Sequence, residues 1–194
     1  MAESDIAQVM DIEREAFPAS WPQTAYRREL QNSAARYIVV TELRDAPHET
    51  PAQRGMWGAI RRIVSGDAAA ADERLLGFIG VWLMVGEAHI VTVAARDEYR
   101  RIGIGERLLI ASIELAQEYD QELVTLEVRA SNEAAQRLYA KYGFDRAGLR
   151  VRYYSDNHED AVIMTTPPIA SPEFGLRFET LKARHRERNP DLWA

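Results

Sequence analysis

Six consecutive residues, Arg100-Arg101-Ile102-Gly103-Ile104-Gly105, carry the first chemistry legible in this chain. An apolar, β-branched run, His89–Ala95, precedes them and reads as a buried strand. After them Ile104, Leu108, Ala111, Ile113, Leu115 and Ala116 recur at helical spacing. A strand that turns into a helix through two glycines exposes backbone N–H groups, because no Cβ stands in front of them. A helix start offers about four unpaired donors and roughly half a positive charge, which suits a phosphate. Arg100, Arg101 and Arg107 put full charges nearby. The pattern is not G-x-G-x-x-G, since residue 108 is Leu, and not a Walker loop, since no Gly-Lys-Ser/Thr follows. An anion-binding loop from Arg100 to Glu106 is expected; an ordinary joint with two incidental glycines is the alternative.

Glu127 is the one carboxylate in the otherwise apolar stretch Leu123–Val128, and strand alternation puts it on one face with Leu123 and Thr125. Burial tends to make a carboxylate a better base near neutral pH, so Glu127 is a candidate general base. The structural alternative is an ion pair with an arginine such as Arg129, and His89 is the second candidate base. Tyr139 has a phenol that is protonated at neutral pH and can donate to a leaving group, although such tyrosines usually pack in a core. It lies seven residues past Asn132, two turns along the same side of a helix. Asn132 suits either helix capping or a peptide-like ligand, since its amide donates and accepts. Tyr142 is expected in the core.

The elements that must hold these residues follow from hydrophobic spacing. Ser4–Phe17 reads as a helix with Ser4 as candidate N-cap, and a second short helix opens at Ser20-Trp21-Pro22 and runs through Leu30. Arg36–Leu43 and Leu75–Val85 read as strands, with Gly86-Glu87 as the hairpin turn into the strand at 89–95. Residues 44–74, rich in Pro, Gly, Ala and charge, are long for a loop in a compact domain. A mobile insertion is expected there, with Met56–Val64 as a possible short helix and a partner-binding or dimer-contact loop as the sharper reading. Gln121–Val128 reads as a strand parallel to 89–95, because a helix separates the two. Ser131–Tyr142 reads as a helix stopped by Gly143, and Phe144–Tyr154 and Asp160–Thr166 as a closing strand pair. Pro167-Pro168 is expected to end the domain, leaving a charged tail over 169–194 with one helix as its reading.

Composition narrows the class. The 194 residues fit one domain of ordinary size, and no repeat is visible. The absence of cysteine removes disulfides, thiolate zinc sites and a Cys nucleophile, and no metal is expected. No run of about 18 apolar residues exists, and the acidic, amphipathic start does not read as a signal peptide. A cytoplasmic protein without membrane contact is the expectation. The net charge of −6 argues against general nucleic-acid binding and would attract a basic partner.

With the loop and the segment Glu127–Phe144 (EVRASNEAAQRLYAKYGF) both in view, the chain resembles the GNAT N-acetyltransferase superfamily. Arg100–Gly105 matches that family's Gln/Arg-x-x-Gly-x-Gly/Ala loop for the pyrophosphate of acetyl-CoA. Leu-Glu-Val-Arg-x-Ser-Asn, then Ala-x-x-Leu-Tyr and Gly-Phe, with Tyr153-Tyr154 and Glu159-Asp160-Ala161 beyond, resembles its RimI-type branch, the ribosomal-protein alanine N-acetyltransferases. The resemblance is strong over about 75–166 and weaker over about 3–43; the insertion and tail depart from it.

What the resemblance implies is specific. The fold is α/β, a mixed sheet of six or seven strands with helices on both faces, and its two central parallel strands splay where acetyl-CoA enters. Residues 1–168 form the single domain. Glu127 is the base, directly or through a water, and Tyr139 the general acid. The backbone of Val93, Ala94 and Ala95 pairs with pantetheine and supplies an oxyanion donor, Asn132 holds the pantetheine arm, and Arg100, Arg101, Ile102, Gly103, Ile104, Gly105 and Glu106 hold the pyrophosphate. Phe17, Trp21, Tyr153 and Tyr154 form the acceptor groove, where Glu159 or Asp160 could meet a basic peptide. The implied activity is acetylation of a protein N-terminal α-amine, with the alanine of the eighteenth small-subunit ribosomal protein favoured. An α-amine near pKa 8 is easier to deprotonate than a lysine by about 3 kcal/mol. A lysine or small-amine acetyltransferase and a non-catalytic CoA-binding module are the rivals. Oligomeric state is left open.

Overall fold

The computed structural model describes residues 1–17, 21–43, 60–65 (backbone only) and 73–193. Its helices are α1 (Ile6–Ala16), α2 (Gln23–Gln31), α3 (Ile104–Glu118), α4 (Glu133–Lys141) and α5 (Pro172–Arg188). Its strands are β1 (Ala35–Leu43), β2 (Ile60–Ser65), β3 (Glu73–Leu83), β4 (Glu87–Ala95), β5 (Leu123–Arg129), β6 (Asp145–Arg150) and β7 (Ala161–Thr165). Among the described residues they form one seven-stranded sheet, ordered β2-β1-β3-β4-β5-β7-β6. Every neighbouring pair is antiparallel except β4–β5, which runs parallel because α3 carries the chain back across the sheet.

Residues 75–81 of β3 are buried without interruption, which requires cover on both faces of the sheet. One face packs Val40, Ile79, Ile90, Leu126 and Val162 against α3, α4 and α5 through Leu108, Ile113, Tyr142, Phe174 and Phe178. The other packs Tyr37, Val39, Leu75 and Phe78 against Ile6, Val9, Ile12 and Tyr26 of α1 and α2. The 169–194 segment shares the first core: Ile169, Phe174, Phe178 and Leu192 are all buried in it. A 3-10 turn, Pro190–Trp193, follows α5 and lies along α3, where the Arg107 guanidinium stacks 3.8 Å from the Trp193 ring and its Nε donates to the Leu192 carbonyl at 3.3 Å.

Several boundaries differ from the sequence expectation. The described part of Met56–Val64 is strand, not helix: β2 pairs antiparallel with β1, whose open edge suits a segment with the β-branched residues Ile60, Ile63 and Val64. The rest of the insertion, including its reading as a partner contact, lies outside the described residues. The β3–β4 hairpin turns at Val85-Gly86, one residue before the expected pair, with Gly86 at φ +76° and Met84 accepting from and donating to Glu87. Asp5, not Ser4, precedes α1. β6 ends at Arg150, which leaves Tyr153 and Tyr154 in the connection to β7 rather than in a strand.

The parallel pair is what shapes the site. β4 and β5 are in register from Glu87↔Leu123 to Ile90↔Leu126, and the pairing then stops although both strands continue. Opposite that point the β3–β4 register slips: Val81 faces Ile90 and Gly80 faces Thr92, so Val91 is an extra residue in β4. Such a bulge bends its strand, and here it turns the end of β4 away from β5. The edges of Val91–Ala95 and Glu127–Arg129 face each other across a gap.

Candidate active site

Three cavities follow one another along this gap. The first, about 420 Å³, lies at the start of α3 and is lined by Arg101, Ile102, Gly103, Gly105, Glu106 and Leu138, with α5 opposite. It shares Gly105 and Leu138 with the second, which is lined by Val93, Ala94, Ala95, Asn132 and Tyr139. The second shares Ile90, Val93, Asn132 and Tyr139 with the third, about 210 Å³, which holds Glu127, Phe17 and Tyr154. One track therefore runs from the glycine loop, through the splay, to the buried carboxylate.

At the loop end, Gly103 caps α3 with φ +96° and Arg101 also has positive φ. Both conformations turn the chain so that the amides of Gly103, Ile104, Gly105 and Glu106 meet no acceptor among the described residues. A Cβ built on Gly105 would meet nothing within 4 Å, so this backbone opens onto free space. Of the three cations expected here, Arg101 alone lines the cavity. Arg100 pairs with Asp97 at 2.8 Å on the surface, and Arg107 turns down the helix toward Glu114 and Trp193. Side chains on a helix point where their neighbours allow, and spacing alone could not show that. Ile104 is buried in the core and presents only its amide. Burial works against ionisation of Glu106, but hydrogen bonds from Lys141 and from Tyr142 at 2.6 Å outweigh it and hold the carboxyl below the usual range. Tyr142 is core, as expected, with its hydroxyl on Glu106.

Along the splay, Val93, Ala94 and Ala95 keep their β3 pairing on one side and have no strand on the other. Asn132 caps α4 by accepting from the Ala135 amide at 3.1 Å, and it also lines the track. Tyr139 is 7 % exposed, and among the described residues its hydroxyl has no hydrogen-bond partner. Burial first, and the neighbouring Tyr154 second, raise its pKa far above that of a free phenol.

At the far end the Glu127 side chain is 7 % exposed and held from two sides. His89 Nε2 lies 3.0 Å from one carboxylate oxygen and Arg150 Nε 2.8 Å from the other. Arg129, the partner expected from sequence, is engaged elsewhere, with Asp156 at 2.9 Å and Glu159 at 3.1 Å. Arg150 approaches from β6 over β7, where it is paired with the small, buried Ala161. Nothing in the local sequence marks Arg150, since it reaches Glu127 through strand order alone.

The expected acceptor residues are only partly brought together. Phe17 and Tyr154 line the cavity with Glu127. Tyr153 stands against Tyr154, ring centroids 5.2 Å apart, with Arg150 over its outer face. Trp21 lies off the cavity: its amide donates to Glu13 at 2.9 Å and its ring rests on Tyr26. Glu159 and Asp160 are structural. Glu159 accepts from the Ser131 amide and Arg129, and hydrogen bonds from the Ser131 side push its carboxyl down to about 2. Asp160 accepts from the Arg152 amide at 2.7 Å.

Residues 6–144 match the model of the acetyltransferase (GNAT) family. A Bacillus subtilis protein provisionally named as the alanine N-acetyltransferase of ribosomal protein bS18 is 34 % identical, the match covering 82 % of this chain and 87 % of that one. An N-alpha-acetyltransferase of Sulfurisphaera tokodaii is 30 % identical over 84 % of this chain and 88 % of its own. The crystal structure of the ribosomal-protein-S18-alanine N-acetyltransferase from Escherichia coli superposes with a TM-score of 0.64 at 24 % identity, covering 89 % of this chain and 94 % of that one, which shows the shared fold.

Proposed function

The chain belongs to the GNAT acetyltransferase family, and from that premise we propose that it transfers the acetyl group of acetyl-CoA to the α-amine of a protein N-terminus. The acceptor favoured by the names of its relatives is the N-terminal alanine of ribosomal protein bS18. The observation that carries the reading is the track itself: four free amides and a glycine with open space at one end, a buried carboxylate at the other, and an unbonded phenol between them.

The residues present fit acetyl-CoA. A diphosphate would meet the Gly103–Glu106 amides and Arg101, and a pantetheine arm, which is peptide-like, would meet the open edge of Val93–Ala95 and the free amide hydrogens of Asn132. The thioester supplies an activated acyl group. Glu127, oriented by His89 and Arg150, accepts a proton from the acceptor ammonium, directly or through one water. The freed amine attacks the acyl carbon, β4 backbone N–H groups stabilise the developing oxyanion, Tyr139 gives its proton to the departing thiolate, and the second proton that the nitrogen loses as the amide forms restores the phenol. Phe17 and Tyr154 flank the acceptor beside Glu127.

Acetyl transfer measured on N-terminal bS18 peptides, lysine peptides and small amines tests the reading. Transfer confined to α-amines, fastest on the alanine peptide, is the expected result; preference for lysine or a small amine overturns it.

The pH profile has a definite shape. Tyr139 works in its protonated form, and its raised pKa extends that form upward. The kcat/KM for a peptide should climb as pH rises toward the α-amine value near 8 and hold to about pH 10. A fall between those values that Tyr139→Phe abolishes would mean that the phenol titrates there, which contradicts its raised pKa; a profile and rate that Tyr139→Phe leaves unchanged would contradict the acid role.

A further inference from the structure

The C-terminal helix brings side chains to the glycine loop that the family match over 6–144 does not include. The His185 ring is buried, and its Nδ1 accepts from the Trp193 indole at 2.9 Å, which leaves the proton on Nε2 to donate to the Gly103 carbonyl at 3.0 Å. Burial holds the ring neutral. That contact seats α5 against the loop; a Cβ on Gly103 would stand 2.9 Å from Nε2.

One turn further on, Arg188 lines the loop cavity from the opposite wall to Arg101. Among the described residues neither arginine has an ion-pair partner. Asn189 also lines the cavity, with its amide nitrogen donating to the His185 carbonyl at 3.1 Å. Among the described residues the one carboxylate facing the cavity, Glu106, is engaged by Lys141 and Tyr142. The cavity thus offers four free amides on one side and an uncommitted guanidinium on each wall. The helix C-terminus adds partial negative charge to its own side, so without Arg188 that wall would repel an anion.

We propose that α5 forms part of the cofactor site, with Arg188 binding a phosphate of the CoA ester. The proposal rests on the acetyl-CoA reading and adds a residue from outside the matched region. The phosphate is either the diphosphate or the 3′-phosphate, and two ligands separate them. Titration calorimetry with CoA and with 3′-dephospho-CoA is done on the full chain, wild type and Arg188→Ala. Loss of roughly tenfold in CoA affinity, about the worth of one charge-assisted contact, is expected, with an unchanged unfolding midpoint of the free protein. Loss with both ligands assigns Arg188 to the diphosphate; loss with CoA alone assigns it to the 3′-phosphate. Arg188→Lys should recover most of the affinity. Equal affinity in wild type and Arg188→Ala overturns the proposal and leaves the transferase reading intact. Failure of the wild type to bind CoA overturns both.

Discussion

Replacing Glu127 with Gln lowers kcat by roughly 10²–10⁴-fold, the range for loss of a general base, while acetyl-CoA binding is kept. The amide matches the carboxylate in shape, so the buried site between His89 and Arg150 stays filled. What disappears is the capacity to take a proton from the acceptor ammonium. The cost is expected in turnover, because the loop that meets the cofactor lies at the other end of the track. Steady-state rates with a bS18 peptide and calorimetry with CoA check both halves. A variant that turns over as fast as wild type removes Glu127 from the mechanism and turns attention to His89, the second candidate base, which lies 3.0 Å from it. A variant that no longer binds CoA shows that the ion pair with Arg150 holds the splay open, a structural role.

Tyr139→Phe gives the second large effect, again roughly 10²–10⁴-fold in kcat. Deleting one hydroxyl from a ring packed 5.8 Å from Phe144 leaves no cavity worth a methyl group, so stability should hardly change. Its partnerless hydroxyl makes no contribution to the fold that could be lost. If Tyr139 only positions the pantetheine arm, the same substitution raises the KM for acetyl-CoA and spares kcat. The split between the two parameters therefore decides between acid and positioning roles, and wild-type values for both exclude either.

Much of this was readable from local spacing. Two motifs, Arg100–Gly105 and Glu127–Phe144, carry their geometry in a few neighbouring residues: glycine where φ must be positive, an asparagine that caps, apolar residues at strand or helix period. The parallel pairing of β4 and β5 followed from the helix between them. Legibility failed where side-chain direction or edge pairing decided. Three arginines near the loop looked equivalent, yet Arg100 and Arg107 found acidic partners elsewhere. Residues 60–64 hold three β-branched side chains, Ile60, Ile63 and Val64, but the helical expectation passed over them, and it was the open edge of β1 that decided the strand.

By itself the sequence determined the family, the splayed α/β sheet and the two ends of the track, because each depends on residues close together in the chain. Only the tertiary structure decided which groups serve those ends. Arg150 reaches Glu127 because β7 and β6 follow β5 in the sheet, and His185 and Arg188 reach the glycine loop because Phe174 and Phe178 bury α5 against the body. Contacts between segments 20 to 80 residues apart are set by register and core packing, and neither leaves a local mark in the chain.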